Sequence, residues 1–256
     1  MASHPFRISR RQKNICHQAV ESSSACLNAT KILAMVGMAS LMAFIAAPAN
    51  ADSPGRGLTA QFEQDYLTFI IDHHYSALRM TELAAGTDAQ RDAAIDNKDE
   101  GTSPTPNAAA TPPKAGVEEI KSMAREASRV QREEILTAQR FLKEWYGITH
   151  TPQLLPEGQQ QIQLLEQTPG GAQFEQTFLE VFSSHHYRAL TPSLDCEVKS
   201  DLQHDQLRHY CNGIVHAQVQ QISNMQKLLC SQFSICDYQP TTGLRGQYSG
   251  ATATAQ

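Results

Sequence analysis

Two stretches decide how this chain folds: FEQDYLTFIIDHHYSALRM at 62–80 and FEQTFLEVFSSHHYRALTP at 174–192. They align without a gap, and nine of nineteen positions are identical: Phe62/Phe174, Glu63/Glu175, Gln64/Gln176, Leu67/Leu179, His73/His185, His74/His186, Tyr75/Tyr187, Ala77/Ala189 and Leu78/Leu190. A weaker match follows between VQREEILTAQRFL at 130–142 and AQVQQISNMQKLL at 217–229, sharing Gln131/Gln218, Ile135/Ile222, Gln139/Gln226 and Leu142/Leu229. The chain therefore repeats one supersecondary unit. The offset between copies falls from 112 to 87, so the first copy carries about 25 extra residues between its halves. They lie in 86–116, which is rich in Gly, Pro, Ala, Thr and charge, lacks aromatics, and reads as a flexible insertion.

The period within each half is helical. Phe62, Tyr66, Phe69, His73, Ala77, Met80 and Ala84 step by four and three, which lines one face of an amphipathic helix. Similar stripes run from Ile120 to Phe141 and from Leu207 to Leu228. The pattern predicts long helices at 59–85, 116–146, 172–195 and 199–230, with a short one at 157–167. Thr59 is placed to cap the first helix and Gly86 to end it, while Pro192 is expected to kink or stop the third. Two helical hairpins too small for separate cores predict an all-α four-helix bundle over 52–238. An up-down-up-down order would run helices one and three parallel, with both His-His pairs at one height. From Gln239 to Gln256 the chain reads as a disordered polar tail.

Residues 1–51 differ from the rest. Lys31, an apolar run and Ala49-Asn50-Ala51 have the three-part pattern of a secretory signal, preceded by an extended basic region with Arg7, Arg10, Arg11 and Lys13. Cleavage after Ala51 or retention as an anchor both remain open; cleavage leaves no membrane span. The remainder has 16 basic and 25 acidic side chains, a net charge of −9, and no basic run, which argues against a nucleic-acid partner. A periplasmic or secreted location is expected. Its four cysteines, Cys196, Cys211, Cys230 and Cys236, allow three pairings; the shortest loops favour Cys196 with Cys211 and Cys230 with Cys236.

Paired imidazoles at one bundle height are suited to bind copper, zinc, nickel or iron. The candidate metal ligands are His73, His74, His185 and His186, with Met80, Met123 and His216 as weaker members. Soft thioether donors would shift the preference toward Cu(I). Alternatively the histidines are core residues that hydrogen-bond Gln131, Glu134, Gln218 or Gln221 and hold the register of the repeat. Asp205, His209 and His216 share a face that could join a metal site or simply be solvated. No nucleophile–base arrangement, phosphate loop or dinucleotide fingerprint is present, so an enzyme is not expected.

The segment FIIDHHYSALRM, followed by Gln131, Glu134, Ile135, Gln139 and Trp145-Tyr146-Gly147, resembles the ferritin-like four-helix domain-of-unknown-function family that includes the cyanobacterial periplasmic copper protein CopM. His73, His74, Ala77 and Met80 match the family pattern in the first repeat, as do His185, His186 and Ala189 in the second, and the resemblance implies an exported ferritin-like bundle with copper or silver binding in some members. This chain departs from that pattern in methionine: three follow residue 51, and Pro192 stands where a second-repeat methionine would. Together these readings predict an exported protein that binds copper, as Cu(I) or Cu(II), for sequestration or homeostasis. The alternative is a non-catalytic structural or interaction bundle.

Overall fold

The three-to-four residue period of both repeats becomes five helices in the computed structural model, which describes residues 58–88, 102, 105 and 108–242. They are α1 Leu58–Ala85, α2 Glu118–Tyr146, α3 Pro156–Gln167, α4 Ala172–Val198 and α5 Asp205–Phe233; no strand occurs among the described residues. The described residues form an all-helical bundle. α1 packs along α2 and α4 along α5, the two hairpins meet where α1 touches α4, and α3 lies on α1 and α4.

Two apolar clusters show which way each helix runs. One joins Leu67 and Ile70 of α1 to Phe141 and Trp145 of α2, Cys196 of α4 and Leu207 of α5. The other joins Met80 and Leu83 of α1 to Ile120 and Ala124 of α2, Phe174 and Phe178 of α4 and Met225 of α5. The N-terminal half of α1 thus lies beside the C-terminal half of α4, so these helices are antiparallel rather than parallel as expected. The connection over 147–171 is responsible: α3, about 18 Å long, carries the chain back along the bundle, and its Ile162 and Leu165 join the second cluster. Gly158 permits that course, because a Cβ there would collide with the Ser76 side chain of α1.

The repeat also appears in how helices begin. Neither α2 nor α5 has a side-chain cap from its own N-cap residue. Glu175 of α4 accepts hydrogen bonds from the Gly116 and Val117 amides ahead of α2, at 2.7 and 2.8 Å. Its repeat mate Glu63, on α1, accepts from the Gln203 and His204 amides ahead of α5, at 2.6 and 3.3 Å. Each copy therefore caps the other, leaving a carboxylate where the helix dipole favours one.

Three local expectations are corrected. α4 runs through Pro192 to Val198, since Ser193 bonds Tyr66 at 3.0 Å and Cys196 is joined to Cys211, which hold the last turns despite the missing amide. Thr59 lies inside α1 and donates to Asp201 at 2.7 Å instead of capping. α5 starts at Asp205 rather than 199, because Glu63 takes the two amides before it. Disulfides join Cys196 to Cys211 and Cys230 to Cys236.

The leader expected over 1–51 lies outside the described residues, as do most of 86–107 and the tail beyond 242. The described part of the insertion is held to the bundle: the Lys114 and Ala115 amides donate to the Leu83 and Ala84 carbonyls, and Arg79 donates to the Ala109 carbonyl. At the other end a 3-10 turn at Pro240–Thr242 packs on α4, beside Tyr238, whose hydroxyl donates to the Glu180 carbonyl. No helix among the described residues is long and apolar enough to cross a membrane.

Candidate metal centre

Between the two apolar clusters lies a polar layer. α1 contributes His73 and His74, α4 His185 and His186, α2 Gln131 and Glu134, and α5 Gln218 and Gln221. All four imidazoles are buried. His73 and His185 occupy the same place in the two copies and stack on each other, with centroids 3.9 Å apart and planes 4° from parallel. The antiparallel meeting of α1 and α4 is what brings these repeat mates face to face.

The outer histidines each turn to the second helix of their own hairpin. His74 Nε2 lies 2.9 Å from Glu134 Oε2, and His186 Nε2 meets Gln221 Oε1. The offset of 87 maps Glu134 onto Gln221, so the same contact is built twice, once with a carboxylate and once with an amide. His186 also places Nδ1 2.8 Å from the Phe182 carbonyl. Burial pushes His186 down to about 4, so near neutral pH its Nδ1 carries the proton and donates to that carbonyl. Its Nε2 lone pair is then matched by the N–H side of the Gln221 amide, whose two ends exchange by a simple flip.

Burial, reinforced by neighbouring imidazoles, also pushes His73 and His185 well below the usual histidine range. The lone pairs needed for metal binding are thus available. Several polar atoms of the layer have no aligned hydrogen-bond partner: Nε2 of His73 and His185, both ring nitrogens of His74, Glu134 Oε2, the Gln131 amide and Gln218 Oε1. The His74–Glu134 approach is therefore within ion-pair distance without being a well-directed hydrogen bond. Buried groups in this condition are uncommon and are what a ligand would satisfy.

The fit to a metal is selective. A cation binds in the plane of an imidazole, and the stacked rings of His73 and His185 do not direct their lone pairs to one point. Among the described residues no three His, Cys, Asp or Glu side chains already converge as ligands. A shared ion requires one ring to rotate out of the stack. The nitrogen and carboxylate donors suit a borderline cation. They do not suit a store built on several thioethers. Met80 is buried in the apolar cluster with Phe178 and Met225. Met123 lines a surface cleft with Glu119 and Lys227, eleven residues and about 16 Å along α2 from Glu134. His216, like Asp205 and His209, is exposed on α5 and stands apart from the layer.

Two features were not singled out from the sequence. Gln161 of α3 reaches His185 Nδ1 at 3.0 Å, and nothing in its local pattern marks it. A further buried histidine outside the layer, His204, bonds Glu63 through Nδ1 at 2.6 Å and stacks on Trp145 at 4.1 Å. The identity of Glu63 with Glu175 was a signal for that cluster.

Residues 107–229 match the family model described as domain of unknown function (DUF305). No curated protein and no solved structure matches the chain. The DUF305-like span holds α2, α3, α4 and nearly all of α5, and so carries Glu134, His185, His186 and Gln221. The first histidine pair lies before it, on α1, and joins the same layer through the duplication.

Proposed function

We propose that this is an exported metal-binding protein that sequesters copper through His73, His74, His185 and His186. The observation that carries the reading is the buried layer of repeat-related, unprotonated imidazoles, in which His73 and His185 each keep an Nε2 without a partner. Further support comes from the two disulfides, which suit an oxidising compartment. The up-down-down-up order of α1, α2, α4 and α5, joined across 147–171, supports a ferritin-like reading, because bundles with one long crossover carry metal sites in their cores. The sequence resemblance to a family of which some members bind copper points the same way. Acidic net charge after the leader favours cation approach.

The test is to express the full chain with export, measure the metal it carries, and titrate Cu(I), Cu(II) and Zn(II) into the protein and a His73→Ala/His185→Ala variant. The variant is expected to bind at least about tenfold more weakly. Equal affinity in both proteins overturns the reading.

A second reading has specific support. The contacts His186–Gln221, His185–Gln161 and His74–Glu134 are those of a register-holding polar core. In that case the double variant loses stability in metal-free buffer and the wild-type protein binds no cation.

A further inference from the structure

The two halves of the histidine centre are related by duplication, yet they differ in charge and in access. Glu134 stands where the second copy has Gln221. Its side chain is 14% exposed, whereas the His74 it approaches is fully buried, so this carboxylate spans the boundary between solvent and the polar layer.

The boundary is open on that side. α2 and α5 do not pack closely along each other, in contrast to the tight α1–α2 and α4–α5 pairs. They are bridged by Tyr210, whose hydroxyl donates to the Glu134 carbonyl at 2.8 Å. Beside this bridge lies a cleft of about 300 Å³, lined by Glu133, Glu134, Tyr210, Gly213 and Ile214 among others. Gly213 borders open space on this cleft, where a Cβ would meet nothing within 4 Å. Glu133 is engaged by Arg129 at 3.1 Å. Glu134 Oε2, by contrast, has no aligned hydrogen-bond donor and reaches toward His74. On the opposite side α3 covers the layer, with Gln161 on His185 and Glu157 paired to Arg188.

Building on the metal-binding reading, we propose that the two halves bind unequally: a divalent cation arriving through the α2–α5 cleft is taken by Glu134 and His74, while Gln221 and His186 form a neutral half. The carboxylate offsets part of the charge of Cu(II) or Zn(II), for which oxygen and imidazole donors are suited. It offers little to Cu(I), whose preferred thioethers lie outside the layer. The centre is thus selective for divalent over cuprous ions, and Glu134 is the residue that makes it so.

The experiment uses the full chain as wild type, Glu134→Gln and Gln221→Glu. Zn(II) and Cu(II) are titrated against a competing chelator and Cu(I) is titrated without oxygen, with folding followed by helical circular dichroism and emission of the single Trp145. Glu134→Gln, which makes the halves alike, is expected to weaken Zn(II) and Cu(II) by about 10- to 100-fold and leave Cu(I) unchanged. Gln221→Glu is expected to strengthen divalent binding or add a second equivalent. If Glu134→Gln binds divalent ions as the wild type does while His73→Ala/His185→Ala does not, this inference fails and the metal-binding reading stands. If the wild type binds no cation, both fail. Should Glu134→Gln not fold, unchanged divalent binding in Gln221→Glu overturns the inference.

Discussion

Two histidine clusters are buried in this bundle, and they are finished to different degrees. At one end Glu63 accepts from His204 Nδ1, the Tyr146 hydroxyl and the Gln203 and His204 amides, while Trp145 stacks on the imidazole. That carboxylate is fully enclosed with its partners in place. In the middle layer four imidazoles are equally buried, but His73, His74 and His185 retain nitrogens without hydrogen-bond partners. A satisfied polar cluster fixes the chain that surrounds it, whereas an incomplete one lowers stability and is retained where something else completes it. By this contrast the Glu63 cluster is a joint between the repeats, and the central layer is the part of the bundle for which we propose metal binding.

The largest effect should come from breaking the joint. Glu63→Ala leaves His204, Tyr146 and two amides without their acceptor and removes the cap of α5, so a loss of about 3–5 kcal/mol is expected, measured by urea unfolding. A loss no larger than that of a typical exposed site would place the two clusters on the same footing.

Acid should strain the central layer next. His186 has a folded value of about 4 against an ordinary 6.5, so between these pH values the unfolded chain takes up a proton that the fold does not. Stability is therefore complete above pH 6.5 and falls as pH drops toward 4, by roughly 3 kcal/mol from this residue alone. His73 and His185 shift in the same direction and steepen the slope. Unfolding free energies measured across this range should show the fall, and His186→Leu should flatten it. A slope that is unchanged in this variant would count against His186 as its source.

Replacing His185 by leucine separates binding from stability. Its Nε2 has no partner to lose and its one side-chain hydrogen bond, Nδ1 with Gln161, is only part-buried, so metal-free stability should fall by about 1.5 kcal/mol, while metal affinity drops. A large stability loss with unchanged affinity would make this histidine a structural residue like His204. The smallest effect belongs to His216→Ala: an exposed substitution should stay within about 0.5 kcal/mol and leave metal titrations unaltered.

Much of the architecture was legible because duplication and helical period are properties of one-dimensional spacing. The repeat at 62–80 and 174–192, the stripe through Phe62, His73 and Met80, and the short loops between cysteines were all readable along the chain. Direction was not. Whether α4 runs with or against α1 depends on how far the 147–171 connection travels, and that follows from the packing of α3 and the close approach at Gly158. The end of α4 likewise depends on Ser193 and Cys196 finding partners on α1 and α5, which local proline chemistry does not encode.

The same division holds at the centre. By itself the sequence determined that two His-His pairs exist, that they hold equivalent places in two copies, and that a carboxylate in one copy matches an amide in the other. Tertiary structure alone decided that His73 and His185 stack, that Met80 and Met123 lie away from them, and that Glu134 lies between His74 and solvent. The reason is physical: spacing sets the face of a helix on which a side chain emerges, but only the packing of helices decides what that face meets and which polar atoms are left without partners.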